Sequence, residues 1–370
     1  VVARVGSKPS LHAEFPDAEQ IDCRGCVITP GLIDSHTHAV FGGWRAAEYE
    51  MRSRGLPYME IARRGGGINA SVRDVRSRSE DELLELSVPR VQAFASLGVT
   101  TVEIKSGYGL NTEHELKMLR VIRRLREHVP IRIAATFLGA HDFPPEYQDR
   151  RDEYVDLLVN EMIPAVAEAK LATFCDAFVE PGAFSADQAR RVLLAGLEYG
   201  LIPRLHADEF ENAAGAELAA ELGAASADHL GAISTAGIEA LAASRTVATL
   251  LPATLVFLGK TGLAPARALI DAGVTVALAS DFNPGTAPTP NLSLSMTFAC
   301  SKMGMQPLEA LVAVTAGGAR ALRLPDNHGT LAPGAPGDLV VWGAADHREI
   351  PYRFGSPPVR EVWASGRRIV

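Results

Sequence analysis

From about residue 28 the sequence alternates short apolar runs, rich in β-branched residues, with longer amphipathic segments. This alternation is typical of a parallel sheet whose strands are joined by crossover helices. The runs lack polar alternation, as strands buried on both faces do. They are residues 27–36, 100–105, 131–138, 174–179, 202–206, 225–229, 247–251 and 274–280. Eight strand–helix repeats predict a closed (β/α)8 TIM barrel, and an open doubly wound sheet is the alternative.

Three of the segments between the runs have helical character. In residues 112–127 the apolar side chains recur near the helical period, and residues 207–222 are rich in Ala, Glu and Leu. Residues 307–322 begin with a proline, which is favoured in the first turn of a helix. We expect a helix in each. The first strand–helix turn has no G-x-G-x-x-G sequence, which argues against a dinucleotide site.

The two ends of the chain differ from the middle. Residues 1–28 and 330–370 are rich in Val, Gly and Pro. Their short strand-like pieces are residues 1–5, 338–342 and 361–365. We expect the ends to pair as a small β-sandwich module beside a barrel formed by residues 29–329. Because residue 1 is a valine inside a strand-like piece, we also expect the natural chain to begin further upstream.

Charge and cysteine content argue against several functions. The formal net charge is −8 and no Lys/Arg-rich run is present, so nucleic-acid binding is not expected. No apolar stretch approaches the ~20 residues of a membrane helix, and no signal peptide opens the sequence. Cys23 and Cys26 form a C-x-x-C without a second ligand pair or a thioredoxin-like setting. We therefore expect four reduced cysteines in a cytoplasmic protein.

The strongest local signal is the pair His36 and His38, which follows the apolar residues of the first run. A strand places residues i and i+2 on one face, about 6.6 Å apart. Two imidazoles on one face can bind a single ion, with Zn–N bonds of about 2.0–2.1 Å. The carboxyl ends of barrel strands form the mouth at which active sites lie. Two solvent-exposed loop histidines are the alternative.

Histidines also end other predicted strands. Five of the ten histidines lie at or just after the ends of predicted strands, namely His36, His38, His141, His206 and His229. We expect the other five on the surface. Five imidazoles at one barrel mouth indicate a metal-dependent active site.

Two carboxylates are placed to take part in the chemistry. Glu209 would lie one turn after His206 if a helix begins there, and could move protons near a metal-bound water. An acidic residue at a helix start is the alternative, which suits Asp208 better. Asp281 directly follows the eighth run and could bind the metal or accept a proton. The alternative for Asp281 is a helix N-cap, but the turn-forming residues 283–285 follow it.

An arginine and a glycine run follow the first histidine pair. Arg45 lies seven residues after His38 and suits a substrate carboxylate held by two hydrogen bonds. A surface arginine is the alternative. Residues 65–67 are three glycines without the strand or the Lys of a phosphate loop, so we expect a turn or flexible lid.

Together these motifs resemble the imidazolonepropionase family, a histidine-degrading branch of the amidohydrolase superfamily. The matching segments cover nearly the whole chain and are residues 29–50, 65–69, 101–110, 136–141, 206–209, 226–230 and 280–286. The His-x-His is shared across the superfamily. The KSGYG, FLGAH and DFNPGT sequences within these segments are more particular to this family. The resemblance also implies a homodimer that acts on a small molecule.

The resemblance implies a role for each site residue. One zinc or iron ion would be bound by His36, His38, His206 and Asp281. Arg45 would hold the propionate carboxylate of 4-imidazolone-5-propanoate, and His229 would act near the carbonyl under attack. The other contacts to the substrate or product would come from Tyr108, His141, Glu209, Asn283, Gly285 and Thr286. The reaction would be hydrolytic ring opening to N-formimidoyl-L-glutamate.

The catalytic residues would then be Glu209, His229 and Asp281. We favour Asp281 for taking the proton of the attacking water and Glu209 for delivering it to the ring nitrogen, although the sequence leaves the general base open. His229 would stabilise the tetrahedral oxyanion.

Two other functions are compatible with the fold. A cyclic-amidine deaminase would share the histidines, Glu209 and Asp281, but Arg45, Tyr108 and the DFNPGT sequence argue against it. A catalytically inactive scaffold usually loses metal ligands, whereas this sequence keeps the full set.

Overall fold

The computed structural model describes residues 1–56, 60–61, 64–325 and 327–370. Within these residues, twelve strands and sixteen α-helices are assigned. The strands are β1 (Val27–Pro30), β2 (Leu32–Asp34), β3 (Val99–Lys105), β4 (Arg132–Ala140), β5 (Phe174–Val179), β6 (Ile202–Ala207), β7 (Ser226–His229), β8 (Val247–Leu250), β9 (Val276–Leu278), β10 (Leu339–Trp342), β11 (Val359–Ala364) and β12 (Arg367–Arg368).

All of the assigned helices except the first follow a strand along the chain. They are α1 (Lys8–Glu14), α2 (Ala46–Ser53), α3 (Ile68–Ser77), α4 (Glu80–Ser96), α5 (Thr112–Leu125), α6 (Arg151–Leu157), α7 (Ile163–Glu168), α8 (Ala186–Glu198), α9 (Gly215–Glu221), α10 (Thr235–Ala242), α11 (Pro252–Phe257), α12 (Ala266–Asp271), α13 (Leu292–Lys302), α14 (Pro307–Val312), α15 (Gly318–Ala321) and α16 (Glu349–Tyr352). Short π-helical segments, Leu158–Met162 and Ala313–Gly317, join α6 to α7 and α14 to α15. No described helix has both the length and the apolar composition needed to cross a membrane.

Strands β2 to β9 form one parallel sheet in chain order. The sheet closes at its mouth, where Thr37 and Phe282 form a parallel bridge just beyond the first and last strands. Two backbone hydrogen bonds complete this closure: Asp281 N donates to His36 O (3.1 Å) and His38 N donates to Phe282 O (2.8 Å). The predicted TIM barrel is confirmed, and each of the eight predicted runs contributes one strand to it.

The first predicted run contributes to two sheets, because β1 joins the terminal module and β2 starts the barrel. Gly31 separates the two strands. A Cβ at Gly31 would lie 2.1 Å from Thr100 Oγ1, so glycine is what lets the chain approach the start of β3 so closely. The predicted boundary at residue 29 therefore falls inside a strand, and we keep the division into a module and a barrel as a proposal.

The terminal module is a four-stranded antiparallel sheet in the order β1-β10-β11-β12. It includes both strand-like pieces predicted near the C-terminus, and no second facing sheet is present in the described residues. Trp342 is fully buried and its indole N–H donates to Thr29 Oγ1 (2.8 Å). The strand predicted for residues 1–5 is wrong. That segment is irregular and is joined to the module only where Val2 exchanges hydrogen bonds with residues 334–335.

Two of the three predicted helices are confirmed, as α5 and as the continuous run from α14 to α15. The third, residues 207–222, is wrong over its first half. Ala207 still belongs to β6, and Asp208 adopts a positive φ of 52°. The Asp208 carboxylate accepts hydrogen bonds from the backbone N–H groups of Ala213, Gly215 and Ala216 (2.8, 3.2 and 3.0 Å). Since these bonds satisfy the free N–H groups of a helix start, the helix begins only at Gly215.

Candidate active site

His36 and His38 lie at the closure of the barrel. Both are buried, and the backbone between them is fixed from both sides. Lys105 N donates to Thr37 O (2.9 Å), and the hydrogen bonds to residues 281–282 hold the other side. The position of the two imidazoles is therefore set by β2, by the end of β3 and by the residues that follow β9.

The four residues predicted to bind metal converge at this mouth. Asp281 Oδ1 lies 3.5 Å from His36 Nε2 and 3.6 Å from His38 Nε2. His206 Nε2 lies 3.5 Å from His38 Nε2. His141 and His229 complete the cluster, since each has a ring nitrogen within 4.8 Å of two of these donors. The structure thus gathers the five histidines that the strand ends indicated.

The protonation of the cluster suits a cation. Burial holds the pKa values of His36, His38 and His206 well below the usual imidazole value, so these rings are neutral. His36 Nε2, which faces Asp281, has no hydrogen-bond partner among the described residues. Neutral imidazoles, together with one carboxylate, are the donors that a zinc or iron ion takes. The residues present therefore fit one divalent metal ion.

Two interior carboxylates orient these imidazoles. Asp228 Oδ2 lies 2.7 Å from His36 Nδ1, and Asp176 Oδ1 lies 3.1 Å from His206 Nδ1. Each carboxylate therefore takes the Nδ1–H and leaves Nε2 for the mouth, an arrangement that is usual behind metal-binding histidines.

Three mouth residues have left-handed backbone. The φ angles are 80° at His229, 64° at Leu230 and 54° at Asp281. Non-glycine residues adopt such angles at a cost of about 1–3 kcal/mol, which the surrounding structure must offset. The Asp281 carboxyl is further fixed by the Thr254 hydroxyl, which donates to Oδ2 (2.6 Å). Burial raises the pKa of Asp281 to about 7.

Glu209 reaches the cluster from a loop and not from a helix. Its Oε1 lies 3.6 Å from His229 Nδ1, and burial, followed by the charge of Asp281, raises its pKa well above the usual value. The loop is held by Glu180, whose carboxylate accepts the backbone N–H groups of Glu209, Phe210 and Glu211 (3.0, 3.3 and 2.7 Å). The expectation of a helical turn between His206 and Glu209 is therefore wrong, although both side chains lie beside His229.

Tyr108 and His141 form an aromatic wall beside His38. The His141 ring stacks on the His38 ring, with centroids 5.1 Å apart, and Tyr108 lies 5.5 Å from His141. His141 Nδ1 donates to Gly107 O (2.9 Å), which leaves its other ring nitrogen for the mouth. The buried Glu115 carboxylate fixes the loop by accepting from the N–H groups at residues 107, 109 and 110.

Arg45 lies against the loop that follows Asp281. Its backbone N–H donates to Pro284 O (3.1 Å), and its Nε lies 3.3 Å from Glu48 Oε2. A Cβ at Gly285 would lie 1.7 Å from a terminal nitrogen of Arg45, so the guanidinium group rests directly on glycine backbone. Residues 65–67 form a turn before α3, and Gly67 N–H donates to the other oxygen of Glu48 (3.0 Å).

Asn283 shapes this loop from within. Its Oδ1 accepts the N–H groups of Gly285 and Thr286 (2.9 and 2.7 Å), and its Nδ2 donates to Asp281 O (2.7 Å). Such side chain–backbone bonding stabilises a turn. Asn283 thus couples the position of Asp281 to that of Gly285 and Thr286.

Known proteins resemble the chain over its full length. A profile of the Amidohydrolase family matches residues 27–369. Imidazolonepropionase of Geobacillus kaustophilus is 48% identical over 373 residues, which covers 100% of this chain and 88% of that protein. Imidazolonepropionase of Myxococcus xanthus is 45% identical over 368 residues, covering 99% and 87%. The chain belongs to the imidazolonepropionase family of amidohydrolases.

Solved structures agree on the fold of this imidazolonepropionase-family chain. A 5-methylcytosine deaminase from Klebsiella pneumoniae, solved with 5-fluorocytosine, superposes with a TM-score of 0.76. It covers 96% of this chain and 88% of its own, at 18% identity, so the likeness shows the fold alone. The predicted family is confirmed by the relatives at 45–48% identity and not by this neighbour.

Two carboxylates beneath the mouth have no predicted role in the sequence of this family member. Asp176 and Glu180, which position the proposed site residues, were not predicted from the sequence. A signal for Asp176 is present, because it is a charged residue in the middle of an apolar run buried on both faces. Glu180 has no such signal, since it follows the run where polar residues are ordinary.

We expect Glu115→Gln to lower the free energy of unfolding of this chain by about 2–3 kcal/mol. In the wild type, three backbone N–H groups donate to the Glu115 carboxylate. A glutamine amide places its NH₂ group, also a donor, where one carboxylate oxygen was, so a donor faces a donor and a buried hydrogen bond is lost. Chemical denaturation with urea measures the change. Glu113→Gln, on the same helix outside this loop, is the control and should be neutral. Equal stabilities of the two variants would contradict the role given to Glu115.

Proposed function

We propose that this chain hydrolyses 4-imidazolone-5-propanoate to N-formimidoyl-L-glutamate, a ring-opening step of histidine degradation. The observation that carries the proposal is that a cluster able to bind a metal ion and an arginine, Arg45, held on the loop after Asp281, lie at the same mouth of the barrel. A small anionic substrate can span the two. Membership of the imidazolonepropionase family supports the same reaction.

We propose that His36, His38, His206 and Asp281 hold one zinc or iron ion. When bound, such an ion supplies Lewis-acid polarisation and lowers the pKa of water at the site. The neutral imidazoles and their orienting carboxylates support this assignment, and one divalent charge would also balance the acidic groups around the cluster.

The reaction adds water across the ring carbonyl and the adjacent nitrogen. A bond forms between the water oxygen and the carbonyl carbon, and the ring C–N bond breaks. The leaving nitrogen takes a proton, and the new carboxylic acid ionises. Asp281 Oδ1, between His36 and His38, is placed to take the proton of water. Glu209, beside His229, is placed to give a proton to the ring nitrogen.

His229 is assigned to the developing oxyanion. Burial lowers its pKa to about 4, so the ring is neutral and carries one N–H. Its Nδ1 faces Glu209 at 3.6 Å, which leaves the opposite nitrogen to donate a hydrogen bond toward the reacting carbonyl. Tyr108 and His141 would flank the flat ring, and Gly285 and Thr286 would line the propionate end.

We expect Arg45→Ala to raise KM about 10-fold with kcat nearly unchanged, because a charge-assisted bond of about 1.5 kcal/mol to the substrate carboxylate is lost in ground and transition states alike. Arg45→Lys, which keeps the charge but not the planar fork, should give an intermediate KM. Steady-state kinetics measure both. A loss confined to kcat in Arg45→Ala would contradict carboxylate binding.

The substrate carboxamide provides a matched test of this contact. Wild-type protein should lose as much kcat/KM on the carboxamide as Arg45→Ala loses on the natural carboxylate. Arg45→Ala should show little further loss on the carboxamide. Independent, additive losses would mean that Arg45 and the carboxylate do not touch.

The activity itself is tested by adding 4-imidazolone-5-propanoate to metal-loaded protein and following the loss of its ultraviolet absorbance. Turnover without ammonia release supports the proposal. Absence of turnover overturns it, and ammonia release from guanine or cytosine would favour a cyclic-amidine deaminase instead.

We further propose a cytoplasmic homodimer. Support for the dimer comes from an apolar groove beside α13 and α16, where Tyr352 and Phe354 are 84% and 67% exposed. Light scattering should give twice the mass of one chain. A monomeric mass would remove this part of the proposal and leave the reaction untouched.

A further inference from the structure

Charged side chains fill the barrel interior directly beneath the histidine cluster. Five of them have no exposed surface, namely Glu103, Lys105, Asp176, Arg204 and Asp228. Burying charge is costly unless each group is paired and hydrogen-bonded. The proposed reaction assigns no chemical step to any of these groups, so their arrangement calls for a different role.

Lys105 is the centre of this group. Its Nζ lies 2.9 Å from Glu103 Oε1, 2.8 Å from Asp176 Oδ2 and 3.8 Å from Asp228 Oδ2. Burial opposes the charged form, but the neighbouring carboxylates, Asp176 foremost, raise the pKa of Lys105 overall. One ammonium group is therefore shared among three carboxylates.

Each of the three carboxylates also holds one part of the cluster. Asp176 Oδ1 faces both His206 Nδ1 (3.1 Å) and the His206 backbone N–H (3.2 Å). Asp228 Oδ2 faces His36 Nδ1 (2.7 Å). Glu103 Oε2 accepts the N–H of Thr37 (3.1 Å), the residue between His36 and His38. Lys105 thus contacts the carboxylates that hold three of the four proposed metal ligands, which are His36, His38 and His206.

We propose that Lys105 is a positioning residue that sets the metal affinity of the site by holding these three carboxylates in place against the residues they orient. The proposal rests on the metal site of the proposed function. Arg204 cannot substitute, because its contact in this group is with Asp228 (2.9 Å) and leaves Asp176 and Glu103 without a cation. Without the ammonium, the three crowded carboxylates repel one another and shift, and their hold on the cluster weakens.

The direction of the effect separates this role from simple charge repulsion. Removing a positive charge near a cation site would, by itself, tighten cation binding. Losing the fixation of the imidazoles weakens it, and changes to such outer contacts typically cost about 10–100-fold in metal affinity. We therefore expect weaker binding.

The test compares wild-type protein with Lys105→Met and with Lys117→Met. Lys117 is a matched control, since it is also buried but donates to backbone carbonyls, including those of Val75 and Arg78 (2.9 and 2.7 Å). The Zn²⁺ dissociation constant is measured by competition with a chromophoric chelator, and ligand geometry by the visible absorption of the Co²⁺-loaded protein. Lys105→Met should raise the dissociation constant about 10–100-fold and alter the Co²⁺ spectrum. Lys117→Met should change neither, whatever its stability.

The outcomes distinguish this inference from the proposed function. If wild-type protein does not bind the ion, the metal site itself fails. If wild-type protein binds it and Lys105→Met binds as tightly or more tightly with the same Co²⁺ spectrum, only the role of Lys105 fails. Should Lys105→Met not fold, the isosteric variant Glu103→Gln provides the test. It removes one ion-pair partner of Lys105 and the carboxylate that accepts the Thr37 N–H. Its dissociation constant should rise about 10-fold, and an unchanged value overturns the proposal.

Discussion

Replacing Asp281 by Asn is expected to lower kcat by about 10²–10⁴-fold, the usual contribution of a positioned general base. Asn can still accept the hydroxyl of Thr254 through its side-chain oxygen, so the fold should persist. It cannot take a proton from water between His36 and His38. The measurement is kcat on 4-imidazolone-5-propanoate, with bound metal determined in the same samples.

Asp142→Asn is the matched control for this change. Asp142 is a partly buried carboxyl at the barrel rim, and among the described residues its Oδ1 accepts from the N–H of the next residue, Phe143 (2.8 Å). Asn keeps that acceptor, so kcat should stay close to wild type. Wild-type kcat in a fully metal-loaded Asp281→Asn variant would exclude Asp281 as the base and leave Glu209 as the candidate.

Replacing Gly285 by Ala is expected to lower kcat/KM by about 100-fold, which corresponds to about 3 kcal/mol of lost binding to the charged substrate group. The added methyl carbon would occupy the position of the Arg45 guanidinium, with 1.7 Å to its terminal nitrogen and 2.1 Å to its central carbon. Either the arginine or the loop must move. The loss should exceed that of Arg45→Ala, because the methyl group also enters the propionate end of the site.

Gly262→Ala separates this clash from a general effect of Gly→Ala changes in loops. A Cβ at Gly262 meets no atom within 4 Å, so kinetics and stability should be nearly unchanged. The double variant Gly285→Ala/Arg45→Ala sharpens the test. If the clash acts through Arg45, this variant should be less impaired than the sum of the two single changes. Full additivity would count against it.

The sequence was sufficient to predict the barrel because its strands are buried on both faces. Such strands appear as uninterrupted apolar runs, and the histidines at their ends could then be assigned to one mouth. The same logic identified Asp281, which directly follows an apolar run. The converging distances among His36, His38, His206 and Asp281 follow from strand order, which is what the eight repeats predicted.

The loops could not be predicted in this way, because their shape is set by contacts distant in the sequence. Glu209 faces the cluster because Glu180, on another strand end, accepts three N–H groups of its loop. Asp208 delays the next helix by capping it with its side chain, so a segment rich in Ala, Glu and Leu begins without helix. Likewise, residues 1–5 have strand-like composition but pair with no strand among the described residues, and only Val2 is hydrogen-bonded, to the loop residues 334–335.

The barrel closes where residues 36–38 meet residues 281–282, so the two halves of the proposed metal site lie on opposite sides of a seam. All other neighbouring strands of the barrel follow one another along the chain, whereas this junction unites segments from its two ends. Contacts between distant segments carry the largest loop-closure entropy and slow the folding of the chain. An ion bound by His36, His38 and Asp281 would therefore hold together the first and last segments of the barrel, which are the last to meet during folding. In the metal-free protein, we expect the barrel to open first at this seam.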